Sequence, residues 1–321
     1  MRVFSLGGSS VIMGETPEGV NRYCAEQGMF ETVPNISEGR RPEVIRQLTD
    51  AVKEVSGASL LNCSSDPSHN RSVLTIVGEA DALTRCLLDL FTVATARIDL
   101  RRHRGEHPRV GAVDVVPFVP LNGTPMIACV ALARSVGQKV AARFGVPVYL
   151  YEDASATAAR QQLEDIRRGQ FEGLATKMCD EKWQPDFGPP TPHPSAGASI
   201  IGARSILIAF NVNLATDDIE IGRRIASRIR LRNGGLPCVK AMGVALRHRS
   251  LVQVSMNLTN YHRTQLVQAF AFVKREADDA GVVVADTEVV GMVPADALTD
   301  TDIPELRLKS FTPDQILPMQ R

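Results

Sequence analysis

Residues 183–197 read WQPDFGPPTPHPSAG, with prolines at 185, 189, 190, 192 and 194. Proline fixes φ near −65° and donates no hydrogen bond, so this stretch is expected to be an extended, stiff strap with little regular pairing. It divides the chain, and the residues on either side must fold largely as separate groupings.

Both groupings repeat one pattern. Upstream, Phe30–Pro34 reads as a strand and Arg41–Val55 as a helix, with Val44, Ile45, Leu48 and Val52 at helical spacing. Strands at Ala58–Cys63 and Ser72–Val77, a helix at Ala80–Ile98 and a strand at Val113–Val119 complete a βαββαβ order. A helix at Met126–Phe144, a strand at Val146–Tyr151 and a short helix at Ala159–Arg168 lead into the strap. Downstream, the strand Ser205–Leu214 precedes a helix that runs to about Leu231, capped by Thr216 or Asp217. A hairpin follows (Val239–Arg247 and Leu251–Leu258 across HRS), then a helix at Thr264–Ala280 and a strand at Val282–Val290. The fold expected is therefore α+β: two ferredoxin-like βαββαβ subdomains joined by a Pro-rich strap. The divisions expected are a disordered or mis-assigned leader over 1–28, an N-terminal subdomain over 29–182, the linker 183–197 and a C-terminal subdomain over 198–321. A groove between two such halves is a common ligand site.

Composition narrows the partners. The 36 basic and 36 acidic residues balance, and aromatics are only 5%, so neither nucleic acid nor an anionic membrane is expected as a partner. No apolar run reaches the roughly 18 residues of a membrane span. The six cysteines (24, 63, 86, 129, 179 and 238) form no C-x-x-C pair, which fits reduced thiols in a cytoplasmic protein.

The chemistry concentrates in HRGEHPRVGAVDVVPFVP, residues 103–120. His103, Glu106 and His107 lie among Arg101, Arg102, Arg104 and Arg109, just before an apolar strand. An imidazole among guanidinium groups can hold an anionic substrate and move a proton. The arginines are also compatible with a solvated face. The spacing H-x-x-E-H suits a zinc peptidase only on a helix, and Gly105 inside it with Pro108 after it argue against one, so no metal is expected. Asn35, Ser37 and Glu38 follow the first strand, where they can cap the next helix or line a site. Arg71 closes the loop DPSHNR, and Asp114 can orient the site or occupy a strand edge.

Nine segments in order resemble the formiminotransferase family. They are VPNISEG (33–39), HNRSVLTIVGE (69–79), RGEHPRVGAVDVVPFVP (104–120), VPVYLYEDA (146–154), WQPDFGP (183–189), HPSAGASIIGAR (193–204), LIAFNVNL (207–214), VQVSMNLTNY (252–261) and EVVGMVP (288–294). The resemblance implies a two-subdomain transferase, commonly a homodimer. Such an enzyme moves the formimino group of N-formimino-L-glutamate to tetrahydrofolate in histidine breakdown, leaving 5-formimidoyltetrahydrofolate and L-glutamate. It implies that His107, in GEHP, is the catalytic histidine. It also implies that folate lies along Gly188, Pro189, Pro190, Thr191, Pro192, His193, Pro194, Ser195, Ala196 and Gly197. Asn35, Glu38, Arg71, Arg109 and Asp114 are the candidates for substrate binding. Ala196 departs from the tryptophan of many animal enzymes and fits a single-function bacterial type, whose product passes to a separate cyclodeaminase. Formyl transfer between 5-formyltetrahydrofolate and glutamate, and folate binding without turnover, are the competing readings.

Overall fold

The structure is a computed structural model, and it describes residues 28–317; the leader expected over 1–28 lies outside that range except for Gly28. Helices and sheets mix throughout, in two lobes. In the first lobe the chain begins with β1 (Met29–Thr32) and β2 (Asn35–Ile36), two collinear pieces of one strand interrupted at Pro34. Helix α1 (Pro42–Lys53) follows, then β3 (Ala58–Asp66), β4 (Arg71–Glu79), α2 (Ala80–Arg97) and β5 (Val113–Leu121). Antiparallel pairing places β1 and β2 between β4 and β5, with β3 outside β4.

Helix α3 (Met126–Phe144) and strand β6 (Val148–Glu152) extend this sheet, followed by α4 (Leu163–Arg167), α5 (Gln170–Lys177) and β7 (Ser199–Ala203). Here the structure departs from the sequence expectation. Strand β7 lies beyond the proline-rich segment, yet it inserts in parallel between β5 and β6. The segment therefore returns the chain to the first sheet, and its lobe ends near Ala203. The reason is burial: Ile200 and Ile201 are fully buried, and each face of the inserted strand finds apolar cover. The short helix expected at 159–168 is a 3₁₀ turn, Ala158–Arg160, followed by α4.

The second lobe runs β8 (Ile208–Leu214), α6 (Ile219–Arg228), β9 (Val239–Leu246), β10 (Leu251–Leu258), α7 (Leu266–Asp279) and β11 (Val284–Val290), in the sheet order β11-β8-β10-β9. The sheet core of the first lobe has the same strand order. The cap of α6 is Asp218, one residue past the expected pair, because its carboxylate reaches the Glu220 amide at 2.9 Å. Short β12 (Val293–Pro294), α8 (Asp302–Glu305) and β13 (Ile316–Leu317) close the described chain.

Each lobe has its own core. In the first, α1 buries Val44, Leu48 and Val52, one turn apart, and α2 buries Leu83, Leu87, Leu90 and Phe91, against Leu74 and Ile76 of β4. In the second, Phe210, Val212 and Leu214 of β8 pack with Phe270 and Val273 of α7. Strand side chains alternate, so the opposite faces carry Arg71 and Thr75 in one lobe and Asn211 and Asn213 in the other. The lobes touch through the turn after β9: His248 Nδ1 lies 2.8 Å from Ser68 Oγ, and Arg247 Nε lies 3.3 Å from Glu106 Oε1. A cavity of about 380 Å³ at this junction is lined by Arg40, Pro67, Ser68, Glu106, Arg247 and His248.

Candidate active site

The loop bearing His107 is fixed by the turn between β3 and β4. Asp66 Oδ1 accepts from the Ser68 and His69 amides at 2.6 and 2.8 Å. Asn70, at φ 47°, spreads its amide between two other segments, accepting from Gly39 N at 2.9 Å and donating to Arg104 O at 3.0 Å. Glu106 N donates to Ser68 O at 3.1 Å. Gly105 is required here, because a Cβ at that position would lie 2.1 Å from the His69 carbonyl oxygen.

His107 is half-buried, and its ring lies 5.7 Å from that of His69, centroid to centroid. Its Nδ1 is 2.8 Å from the Pro108 carbonyl. A carbonyl only accepts, so Nδ1 carries the hydrogen and the lone pair of the neutral ring sits on Nε2. Burial, followed by the nearby charges of Arg71, Arg167 and His69, holds its pKa well below the ordinary imidazole value. At neutral pH the ring is an unprotonated base.

Behind it lies a buried charge cluster. Asp114, fully buried, accepts from Arg71 Nη1 at 2.9 Å, Arg167 Nη2 at 2.5 Å and the Val110 amide at 2.8 Å. Burial would raise its pKa, but Arg167 and Arg71 and the amide outweigh it and hold the carboxyl well below the carboxylate range. Burial lowers Arg71 to about 10 against the opposing pull of Asp114. The remaining edge of Arg71 donates to Asn35 Oδ1 at 3.1 and 2.8 Å. Two guanidiniums on one carboxylate leave a net positive charge beside His107. Among the described residues Arg167 Nε is buried without a partner.

Of the residues singled out in the sequence, the structure thus brings Asn35, Arg71, Asp114 and His107 together. Two others are occupied elsewhere. Glu38 spends its carboxylate at the start of α1, accepting from the Arg40 and Arg41 amides at 2.9 Å each and pairing with the Arg41 side chain. Arg109 forms a two-pronged pair with Glu172 at 2.7 and 2.6 Å and donates to His103 Nδ1 at 3.2 Å. His103 Nε2 meets the Asn70 carbonyl at 2.8 Å, so both its nitrogens are engaged and it does not converge with His107. Arg167 went unread in the sequence. It sits 53 residues beyond Asp114, and no local spacing could have connected them.

The proline-rich segment is pinned at both ends. Asp186 pairs with Arg160 at 2.9 Å and accepts from the Leu150 amide at 2.8 Å. At the far end Gly197 pairs with Gly111; a Cβ on Gly197 would lie 2.0 Å from Val110 O, and one on Gly111 2.0 Å from Ala198 O. His193 Nδ1 accepts from the Ala196 amide at 3.0 Å, and the His193 and Gly197 backbones exchange hydrogen bonds. Gly188, Pro190, Thr191 and Pro194 are exposed, whereas Ala196 and Gly197 are buried. Ser37 joins this end to the site, donating to Gly111 O at 2.7 Å. Among the described residues no group of three or more His, Cys, Asp or Glu is arranged to hold a metal ion.

A neutral imidazole beside a buried cationic cluster, at the junction of two α/β lobes, is an arrangement that can accept a proton next to an anionic group. The chain belongs to the formiminotransferase family: residues 29–204 match its formiminotransferase domain, N-terminal subdomain, and residues 209–303 match its formiminotransferase domain. It is 45% identical to a glutamate formimidoyltransferase from Thermoplasma acidophilum, over 90% of this chain and 96% of the relative. A glutamate formimidoyltransferase from Streptococcus pyogenes is 43% identical over 88% and 95% of the two chains. The formimidoyltransferase-cyclodeaminase of Rattus norvegicus is 41% identical over 85% of this chain, which spans about half (51%) of that longer protein.

Proposed function

We propose that the protein is a glutamate formimidoyltransferase, which moves the formimino group of N-formimino-L-glutamate to tetrahydrofolate. The observation that carries this reading is the His107 ring. Its hydrogen is committed to Pro108 and its Nε2 lone pair has no partner among the described residues, beside a cationic cluster that suits a dicarboxylate.

The reaction needs one proton relay. N5 of the pterin attacks the formimino carbon, an N–C bond forms, and the nitrogen becomes cationic. His107 Nε2 takes its proton. The imidazolium returns that proton to the glutamate nitrogen as the C–N bond to glutamate breaks, which releases L-glutamate and leaves 5-formimidoyltetrahydrofolate. Holding both reactants together supplies roughly 7–11 kcal/mol of the barrier as pre-paid entropy. Arg71 and Arg167 offer charge-assisted bonds to substrate carboxylates, and their net charge favours a dianion over a neutral amide.

In this reading folate runs along 188–197, and the pinned ends with an exposed middle support it. The shared strand order supports reading both lobes as ferredoxin-like. A homodimer in the cytoplasm belongs to the same reading, as does a separate cyclodeaminase that takes the product. The decisive assay is formiminoglutamate with tetrahydrofolate, followed by release of free glutamate. Folate binding with no glutamate released would leave only a binding protein.

A further inference from the structure

The inner face of the second sheet carries a polar row that the proton relay does not use. Asn211 lies opposite Glu288 and Ser255, and Asn213 lies opposite Asp286 and Gln253. Asn213 and Gln253 are fully buried and Asn211 nearly so, while Glu288 is half-buried. Glu288 Oε1 accepts from Asn211 Nδ2 at 3.0 Å and from Gln253 Nε2 at 2.8 Å. Its Oε2 accepts nothing, and no Lys or Arg pairs with it, among the described residues. Asp286, two positions away on the same face, does have a cation, Arg249 at 2.9 Å.

This carboxylate faces the catalytic histidine's lobe. Just beyond β11, a Cβ on Gly291 would lie 3.6 Å from the Thr75 hydroxyl, on the face of β4 that bears Arg71. His69, which neighbours His107, is more than nine-tenths buried, and its Nε2 has no partner among the described residues. Burial lowers the pKa of His69 first; Asp66 opposes this, and the charge of Glu288 is close enough to oppose it as well. A half-buried carboxylate held by two neutral amides and no cation is costly unless a cation arrives with the ligand.

We infer that Glu288 is the recognition carboxylate for the formamidinium end of the donor, its Oε2 accepting the amidinium N–H while Asn211 and Gln253 hold its other oxygen. The inference rests on the formimidoyltransferase reading and extends it to donor choice. An N-alkylformamidine is a strong base and is protonated near neutral pH. Its cation is planar and offers N–H groups to a carboxylate, in the geometry that guanidinium uses. A formyl group presents a carbonyl oxygen at the same place, and two acceptors repel. Glu288 thereby selects formimino over formyl, and Arg71 with Arg167 selects the glutamate carboxylates.

The test is calorimetric binding of N-formimino-L-glutamate and of its neutral isostere N-formyl-L-glutamate to the full chain and to Glu288→Gln. The parent protein should prefer the formimino compound by about 10- to 100-fold, the range of one charge-assisted hydrogen bond. The variant should bring the two within a factor of about three. Retention of the preference by Glu288→Gln, or its absence from the parent, overturns the inference. If the variant does not fold, formamidinium chloride serves on the parent: it should displace formiminoglutamate while formamide at equal concentration does not, and equal behaviour of the two overturns the inference. Turnover by the parent is scored separately. A protein that binds with this preference but releases no glutamate sinks the transferase reading alone. One that turns over and keeps its preference without Glu288 sinks this inference alone.

Discussion

Arg71, at the first position of β4, donates to Asp114, near the start of β5, at 2.9 Å in a buried pair. The strand pairing that brings them together is the frame of the site, since Asn35 of β2 sits between these two strands and bonds the same guanidinium. A second guanidinium, Arg167, reaches the same carboxylate from α4.

Replacing Asp114 by Asn leaves two guanidiniums without a counter-charge. Breaking a buried pair of this kind costs about 3–5 kcal/mol, so Asp114→Asn should lose most of the protein's stability margin in a urea titration. The pH dependence follows from sign. The Asp114 carboxyl titrates below its unfolded value, so its contribution is present above about pH 4 and is lost as pH falls toward the folded pKa. A variant as stable as the parent at pH 7, with the same acid midpoint, would contradict the ion-pair account.

Removing the imidazole tests the relay. His107→Ala should fold normally and lose about 10²–10⁴-fold in kcat. Circular dichroism and steady-state rates on the same preparation decide this, and near-parental turnover would remove His107 from the mechanism.

The acid limb of kcat/KM should lie below the ordinary imidazole pKa of about 6.5, because burial and then the Arg71, Arg167 and His69 charges depress His107. Arg167→Gln deletes one of those charges and should move the limb upward. For stability the sign is that of a depressed histidine. Between the folded pKa and about 6.5 the unfolded chain binds the extra proton, so His107 contributes a loss of stability as pH falls through that window and nothing above it. An acid limb that is unmoved in Arg167→Gln would break the electrostatic link.

Gly105 sets the position of the loop that carries His107. A methyl group at this residue meets the His69 carbonyl at 2.1 Å, so Gly105→Ala must displace the loop or the turn. A shift of about 1 Å at the reacting group costs on the order of 10²-fold in rate. We expect a large fall in kcat with little change in Tm; an unchanged kcat would show that the loop tolerates the shift.

The proline-rich segment should respond to folate. Thr191 is exposed in the pinned stretch. Hydrogen exchange of the peptide covering 186–197 should slow on adding a reduced folate, while the α1 peptides stay unchanged. Equal exchange with and without ligand would move the folate site elsewhere.

The local elements were legible in the sequence because their causes are local. Val44, Leu48 and Val52 fall on one helical face whatever the rest of the chain does, and the helix expected at Met126–Phe144 occupies those residues in the structure. The GEHP loop also announced itself, through a histidine among arginines next to a buried strand. The site was legible only as a list of charged residues. Glu38 and Arg109 look as available in sequence as Arg71 and Asp114, yet the fold spends the first two on α1 and Glu172.

The sequence by itself determined most of the strands and helices of both lobes and their order. Only the tertiary structure decided that β7 belongs to the first sheet, that Arg167 shares Asp114 with Arg71, and that Glu288 has no cation partner among the described residues. The physical reason is range. Helical and strand periodicity arise from neighbours a few residues apart, whereas the partner of a buried charge is set by strand pairing and lobe contact across 40 residues or more, and a buried charge is stable only where that partner is supplied.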